Sequence, residues 1–395
     1  MKVSKLRLVV LLKMPKKKSV HVEIEAKVIE WAIDSSGWAR EDILKKLKIS
    51  QSTFNGWLTK QIKPTIQELE ELSKLVKRPL AVFFLSEPPK EKPLPKDYRM
   101  LPDKEGKFDK VTLLAIRKAR NLQRLSRELS ENLSTLIKTA IPTAKINENP
   151  IKIAEKYRTE FNISATPFKN PNELFNFLRE TIEDRNVLVF QFPMPVQDAR
   201  GFSLVDEEPS VIVVNSKDSI EARIFTLAHE FGHVILKESE IGMPENSLFF
   251  KTQNNVEKWC NEFASSFLLP EQLAREEFSS NKDVILETVT LNKLSRKFRV
   301  SKFMIIYNMY KLGFISRLQY DSVLQRPQKV EDKPKGKKGG FAQSSDKKCL
   351  SERGQKFVSL VTTNIEKGFI THSDALEYLS VKTKNFDKVI GRAKK

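Results

Sequence analysis

The sequence has few cysteines and few histidines. Its 395 residues include two cysteines, Cys260 and Cys349, and four histidines. Two cysteines exclude a framework of several disulfides and a structural zinc-finger spacing, and they suit a reducing compartment. No segment approaches the roughly 20 apolar residues that a membrane-spanning helix needs. We therefore expect a cytoplasmic protein without a membrane partner.

The start of the chain does not predict export. The apolar run from Leu8 to Leu12 follows basic residues, as in a signal peptide. This run is too short for a signal-peptide core, and no small-residue cleavage site follows it. The expected location therefore stays the cytoplasm.

Positive charge is concentrated at the two ends of the chain. The formal net charge is +19, of which residues 1–22 carry +7 and residues 326–395 carry +9. Basic ends raise the affinity for nucleic acid, although loosely ordered, solvated tails have the same composition. An interaction protein that recruits nucleic acid without sequence preference is one hypothesis.

Composition and apolar spacing divide the chain into six segments. A basic segment (1–22) precedes a helical unit (23–86), and then a linker and helical connector (87–150), which begins with four prolines in eight residues. Such a run cannot continue a helix or a central strand. A mixed domain (151–325), a basic flexible linker (326–350) and a small helical appendix (351–395) follow. The pattern predicts an α+β protein that is predominantly helical.

The mixed domain contains a small predicted sheet followed by a helix. Three short β-rich runs cover residues 187–192, 201–205 and 211–214. Asp218 with Glu221 three residues later predicts a capping box, so a helix is expected from there to about residue 236.

This predicted helix carries the residues of a metal site. His229 and His233 lie one turn apart, opposite an apolar stripe, so both imidazoles can reach one ion. Glu230 lies beside them, which completes a His-Glu-x-x-His pattern. The alternative interpretation is a surface helix whose exposed face happens to carry these residues.

A third ligand is expected from the next helix, at about residues 255–269. Catalytic zinc takes three protein ligands and keeps one position for water. The helix offers Glu257, Cys260 and Glu262. Glu257 is favoured because it shares its face with small residues that allow close packing. Glu262 falls on a face suited to a solvated carboxylate, and a lone cysteine such as Cys260 is more often a small buried side chain.

One zinc ion held by His229, His233 and Glu257 predicts peptide hydrolysis. Zinc lowers the pKa of its water and polarises the scissile carbonyl, while Glu230 accepts the proton of the water and passes it to the leaving amine. The oxyanion needs a further donor, and the sequence does not choose among its candidates. These candidates are Tyr307, Tyr310 and His372.

Four sequence blocks together resemble the ImmA/IrrE metallopeptidases. They are Gly201-Phe202-Ser203, Val211 to Asn215, Ile224 to His233, and Glu257 to Ala264 with Leu268-Leu269-Pro270. The resemblance covers roughly residues 150–325. It implies a zincin-like, specifically gluzincin-like, endopeptidase domain in which His229, His233 and Glu257 bind the metal and Glu230 is catalytic. It also implies one regulatory protein as substrate, such as a repressor or an antitoxin.

The unit at residues 23–86 resembles the helix-turn-helix domain of phage-repressor type (XRE-like) regulators. The resemblance implies a first helix at 40–48, a turn at 49–50 and a recognition helix at 51–59. The DNA-binding candidates are Gln51, Ser52, Thr53 and Asn55 toward bases and Lys60 and Lys63 toward phosphates. The unit carries a net charge of only +1, so its nonspecific DNA affinity would be weak. A protein-docking role for the same fold stays open.

Two hypotheses follow for the whole chain. The first is a zinc endopeptidase that cleaves a specific regulator encoded nearby and is coupled to a helix-turn-helix module that binds double-stranded DNA or docks a partner. The alternative is a DNA-binding transcriptional regulator whose metal site is structural or sensory and cuts no peptide bond.

Overall fold

The structure is a computed structural model that describes residues 20–91, 108–135, 138–163, 168–237, 241–242, 255–325 and 344–393. It divides into two compact units, residues 1–92 and 93–395. The protein is predominantly helical with one small sheet, so the predicted α+β class is confirmed. Among the described residues, no helix combines the length and the apolar character needed to cross a membrane.

The first unit is all helical. Its elements are α1 (Ala26–Asp34), α2 (Arg40–Leu47), α3 (Gln51–Leu58), α4 (Ile66–Val76) and a 3-10 turn (Leu80–Phe84). Lys48, in the left-handed conformation, ends α2, and the Ser50 side chain accepts a hydrogen bond from the Thr53 N–H and begins α3. Phe54 and Trp57 fill the core between the helices. The bounds of both helices agree with the prediction to within one residue.

The second unit begins with three helices and contains the sheet. Its first elements are α5 (Lys110–Asn132), α6 (Pro150–Glu160), α7 (Pro171–Glu183), β1 (Leu188–Phe192), β2 (Gly201–Leu204), β3 (Val211–Asn215), α8 (Ile220–Leu236) and β4 (Ile241–Gly242). The three predicted strands are thus confirmed to within a residue at their ends.

Helices make up the rest of the second unit. They are α9 (Asn255–Leu268), α10 (Glu271–Ser280), a 3-10 turn (Lys282–Val284), α11 (Thr288–Phe298), α12 (Lys302–Lys311), α13 (Arg317–Gln325), α14 (Ser345–Arg353), α15 (Gln355–Glu366), α16 (His372–Leu379) and α17 (Thr383–Ala393).

The strands form a sheet in the order β1-β3-β2-β4. β1 and β3 are parallel, with Leu188 opposite Val211, and β2 runs antiparallel to β3 and to the short β4. Every residue of β1, β2 and β3 is buried, because helices cover both faces of the sheet.

The two faces of the sheet belong to different cores. Val189, Ile212 and Val214 pack with residues of α6 to α12. The alternate side chains, such as Phe190 and Val213, pack with α5 and with α14 to α17. The predicted connector and appendix therefore contribute a core layer to the second unit, although their predicted boundaries stay predictions.

Two details of the sequence-based prediction are wrong. Ser219, and not Asp218, caps α8: its side chain accepts from the Ala222 N–H, while Asp218 accepts from the Arg200 guanidinium at 2.8 Å. The helix therefore starts one residue later than expected. In addition, α14 begins at Ser345, inside the predicted linker. The rest of that linker and the predicted basic segment up to residue 19 lie outside the described residues.

Candidate metal centre

Helix α8 presents the histidine pair and the glutamate between them. His229, Glu230 and His233 are each at most 2% exposed. Neighbouring elements enclose the helix: α7 and α9 pack on it, and so do strands β2 and β3. These side chains therefore lie in the interior of the second unit and not on an exposed helix face.

Helix α9 approaches α8 very closely. A Cβ atom built on Gly232 would lie 3.2 Å from the Cys260 Sγ and 3.4 Å from the Cys260 Cα. This is tighter than ordinary packing, so a larger residue than glycine at this crossing would require the neighbouring helix to shift by a few tenths of an ångström. Cys260 fills the crossing as a small buried side chain.

Three potential ligand atoms converge between the two helices. The His229 Nε2 and His233 Nε2 atoms are 3.2 Å apart, and Glu257 Oε1 lies 3.5 Å and 3.0 Å from them, respectively. Ligands at the usual Zn–N and Zn–O distances in a tetrahedral site are about 3.3 Å from one another. The donor set and its spacing therefore fit a zinc ion.

The structure brings only one of the three candidate third ligands to the histidines. Among the described residues, His229, His233 and Glu257 form the group whose ligand atoms lie within 4.8 Å of one another. Glu262 instead forms an ion pair with Lys311. We refer to His229, His233 and Glu257 as the His-His-Glu cluster.

Residues 182–310 match the model of a peptidase family, described as IrrE N-terminal-like domain. The match supports the ImmA/IrrE family. The matched region includes the sheet strands β1 to β3, helices α8 to α11 and the whole His-His-Glu cluster, and it suggests a metallopeptidase-like function. No curated protein matches the chain.

The charges within the cluster favour a cation. Burial alone would raise the pKa of Glu257, but His229 and His233 outweigh it and hold that pKa well below its usual range. Burial would likewise lower the pKa of His229, and the Glu257 carboxylate reverses the effect and raises it. A buried carboxylate facing two imidazoles is the kind of donor set that holds a divalent ion.

The Glu230 carboxylate faces strand β2. A Cβ atom on Gly201 would lie 3.3 Å from Glu230 Oε1 and 2.5 Å from the Thr226 Cγ2, so only glycine fits at this strand position. Burial raises the pKa of Glu230 to about 8, against the opposing effects of His229 and of the Ser203 hydroxyl. Gly201 and Ser203 share one strand face because they are two residues apart.

Sequence reasoning named Gly201 and Ser203 only as part of a resemblance and gave them no role. Their alternation on a strand that precedes the His-Glu-x-x-His helix is the signal that places them on one face. The pairing of that face with Glu230 depends on how the strand and the helix pack, which the sequence does not state.

The candidate oxyanion donors lie in different places. His372 packs on Phe386 with ring centroids 4.5 Å apart, among the helices on the opposite face of the sheet from the cluster, so it is excluded. Tyr310 stacks against Tyr320 at 5.0 Å. Tyr307 on α12 is half-buried, and burial raises its pKa to about 12.

The candidate DNA-binding residues cluster on α3 and the turn after it. Gln51, Ser52 and Asn55 are exposed, and Gln51 donates to Asn55 Oδ1 at 2.9 Å, while Thr53 is half-buried. The two lysines already have acidic partners: Lys60 pairs with Glu25 at 2.8 Å, and Lys63 pairs with Glu23 at 2.5 Å. These ion pairs reduce the positive charge that a phosphate would meet.

Proposed function

We propose that this protein is a zinc-dependent endopeptidase. The observation that carries the proposal is the convergence of His229, His233 and Glu257 at 3.0–3.5 Å, with Glu230 buried next to the first of them. Three side chains would bind the metal. The fourth group, the Glu230 carboxylate, would bind no metal and would be left to transfer protons.

His229, His233 and Glu257 would hold one zinc ion. When bound, zinc supplies a Lewis acid that activates water and polarises a peptide carbonyl. Glu230 would accept a proton from the attacking water and pass it to the leaving amine. Burial raises the pKa of Glu230 from its ordinary range toward neutral pH, where a carboxyl group can both accept and release a proton.

The burial of the site favours an extended substrate segment. Side chains that are at most 2% exposed are out of reach of a folded protein surface. The scissile bond would therefore lie in a loop or an unfolded stretch of the partner. Together with the ImmA/IrrE resemblance, this supports a specific regulatory protein, repressor-like or antitoxin-like, as the substrate.

The first unit would bring the peptidase to its target. The exposed polar residues on α3, Gln51, Ser52 and Asn55, suit either a DNA major groove or a docked protein. We infer that this unit binds DNA near the regulator or binds the regulator itself, which raises the local concentration of the substrate.

A coexpression experiment tests whether the protein cleaves one of the regulatory proteins that are encoded nearby. Each regulator is coexpressed with the parent protein or with Glu230→Gln, and the products are identified by mass spectrometry. The parent should cut one of them, and Glu230→Gln should cut it at least about 100-fold more slowly while still binding zinc. Glu262→Gln is the matched control, because Glu262 lies on α9 outside the cluster. This variant should cut the regulator as fast as the parent does.

The alternative function gives the opposite result. If the protein is a DNA-binding regulator with a structural or sensory metal, Glu230→Gln behaves like the parent, and no regulator is cut. A DNA footprint would then disappear when Gln51 and Asn55 are replaced by alanine.

A further inference from the structure

We propose that helices α16 and α17 form a helix-turn-helix module whose second helix, α17, binds double-stranded DNA. Both helices belong to the core layer on the sheet face away from the metal centre. The proposal therefore goes beyond the peptidase function and does not depend on it.

The turn between α16 and α17 repeats the turn between α2 and α3, the pair predicted as a helix-turn-helix. In each pair the first helix has eight residues, and a left-handed residue ends it. These residues are Lys48 and Ser380, with φ angles of 56° and 53°. The next N–H donates to the carbonyl oxygen five residues earlier, at 3.2 Å in the first turn and 3.1 Å in the second. The second helix then starts three residues after the left-handed residue in both pairs.

The contact between the two helices is also equivalent in the two pairs. The fourth residue of α17, Phe386, packs on the first residue of α16, His372, with ring centroids 4.5 Å apart. In the first unit, the fourth residue of α3, Phe54, lies under the first residue of α2, Arg40, at 5.5 Å. Both phenylalanines are buried. The two pairs thus share their turn and the contact that holds the second helix against the first.

Helix α17 has one apolar face and one basic face. Phe386, Val389 and Ala393 are buried in the core layer. Lys384 and Lys388 lie one turn apart on the opposite side, and both are exposed. The core therefore holds α17 in place from one side and leaves its basic side to the solvent.

The two lysines are available to bind phosphates. Among the residues that the structure describes, neither Lys384 nor Lys388 forms an ion pair. By contrast, Lys60 and Lys63 of the first unit each pair with a glutamate. Asp387 is the single acid of α17. The basic face of α17 consequently keeps the positive charge that the first unit has largely neutralised.

A third helix pair, α11 and α12, has the same turn but a different surface. Arg299 is left-handed, with a φ angle of 60°, and α12 starts three residues later. The positions on α12 that correspond to the two lysines of α17 hold Phe303, which is buried, and Tyr307, which is half-buried. The turn alone therefore does not make a DNA-binding surface. The exposed, basic second helix distinguishes α16 and α17 from this pair.

Duplex DNA is the partner that this surface fits. The major groove of B-form DNA is about 12 Å wide and admits one α-helix, and the phosphates on either side attract lysines. The major groove of an RNA duplex is too narrow for side chains to read. Thr383 and Lys384, at the start of α17, would face the base edges, and Lys388 would contact a phosphate.

Fluorescence anisotropy of the full-length protein measures this binding. The probe is a labelled DNA duplex of about 30 base pairs and mixed sequence, titrated at salt concentrations from about 50 to 200 mM. We expect Lys384→Gln combined with Lys388→Gln to weaken binding at least about tenfold at about 100 mM salt. The slope of log affinity against log salt should become shallower by about two.

Lys282→Gln combined with Lys367→Gln is the matched control. Lys282 and Lys367 are also exposed, and their replacement removes the same charge from outside α17. Because exposed charges far from the bound phosphates are screened by salt, this variant should bind DNA within about threefold of the parent. Both double variants change only exposed side chains, so their free energies of unfolding should match that of the parent.

A variant of the first unit separates the two helix pairs. Gln51→Ala combined with Asn55→Ala changes the exposed residues of α3. DNA binding and its loss on replacing Lys384 and Lys388 should persist in this background. Complete loss of DNA binding in the α3 variant alone would overturn the role of α17.

The remaining outcomes test the inference apart from the proposed function. Equal DNA affinity in the parent and in the Lys384 and Lys388 variant would overturn it. An equal weakening in the control, or tighter binding of a single-stranded RNA of the same length, would overturn it too. A parent that binds no zinc but binds DNA through α17 would overturn the peptidase proposal and leave this one standing.

Discussion

Among the described residues of the second unit, two buried groups of charged side chains differ in what satisfies their charges. Arg179 and Glu183 on α7 form an ion pair at 3.3 Å, and Arg179 also donates to the carbonyl oxygens of Val189 and Ser351. In the candidate metal centre, by contrast, neither oxygen of Glu230 accepts a hydrogen bond of good geometry, and the three ligand atoms of the His-His-Glu cluster lie within 4.8 Å of one another. The Arg179–Glu183 pair is satisfied by other groups of the protein, whereas the arrangement around Glu230 is suited to a ligand.

The completed pair joins distant parts of the chain. Glu183 accepts a hydrogen bond from the Lys356 N–H at the start of α15 at 3.1 Å. A Cβ on Gly354, whose φ is 81°, would lie 2.0 Å from Glu183 Oε1, so only glycine fits there. The pair thus attaches the C-terminal helices to the sheet, which is a structural role.

Breaking the completed pair should give the largest change in stability. Arg179→Met leaves the Glu183 carboxylate buried without its counterion, so the free energy of unfolding should fall by about 3–5 kcal/mol. Urea denaturation of the metal-free protein measures this. The double variant Arg179→Met with Glu183→Leu removes both charges and should recover much of the loss. A loss below about 1 kcal/mol in the single variant would mean that the pair is not structural.

Neutralising the metal-centre glutamate should give a smaller effect of opposite sign. Glu230→Gln keeps the shape of the side chain and removes a carboxyl group whose ionised form burial disfavours. We expect the unfolding free energy of the metal-free protein to rise by about 1 kcal/mol at pH 8. Glu262→Gln, which loses an ion pair with Lys311 at the surface, should show no such gain. A destabilised Glu230→Gln would show that the carboxylate is part of the structural framework.

The sequence predicted which residues form the His-His-Glu cluster because the geometry of the cluster is local. The spacing of His229 and His233 on one helix is enough to place both imidazoles at one ion, and the helical face of Glu257 distinguished it from Cys260 and Glu262. Helix periodicity carries this information without any knowledge of the tertiary fold.

The rest of the second unit depends on long-range packing. The apolar stripe of α5 indicates that it packs against something, but it does not indicate that the partner is the sheet face opposite the metal centre. The contact between Glu183 and the residues around Gly354 joins positions about 170 residues apart in the chain. Local patterns cannot predict such a pair, and they led us to describe residues 351–395 as an appendix.

The zinc content of the folded protein tests the central claim most directly. Native mass spectrometry after incubation with zinc and removal of the excess should show one zinc ion per chain in the parent and in Arg179→Met, and none in Glu257→Ala. A parent without bound zinc, or a Glu257→Ala variant that retains a full equivalent, would contradict the assignment of the His-His-Glu cluster as the metal centre.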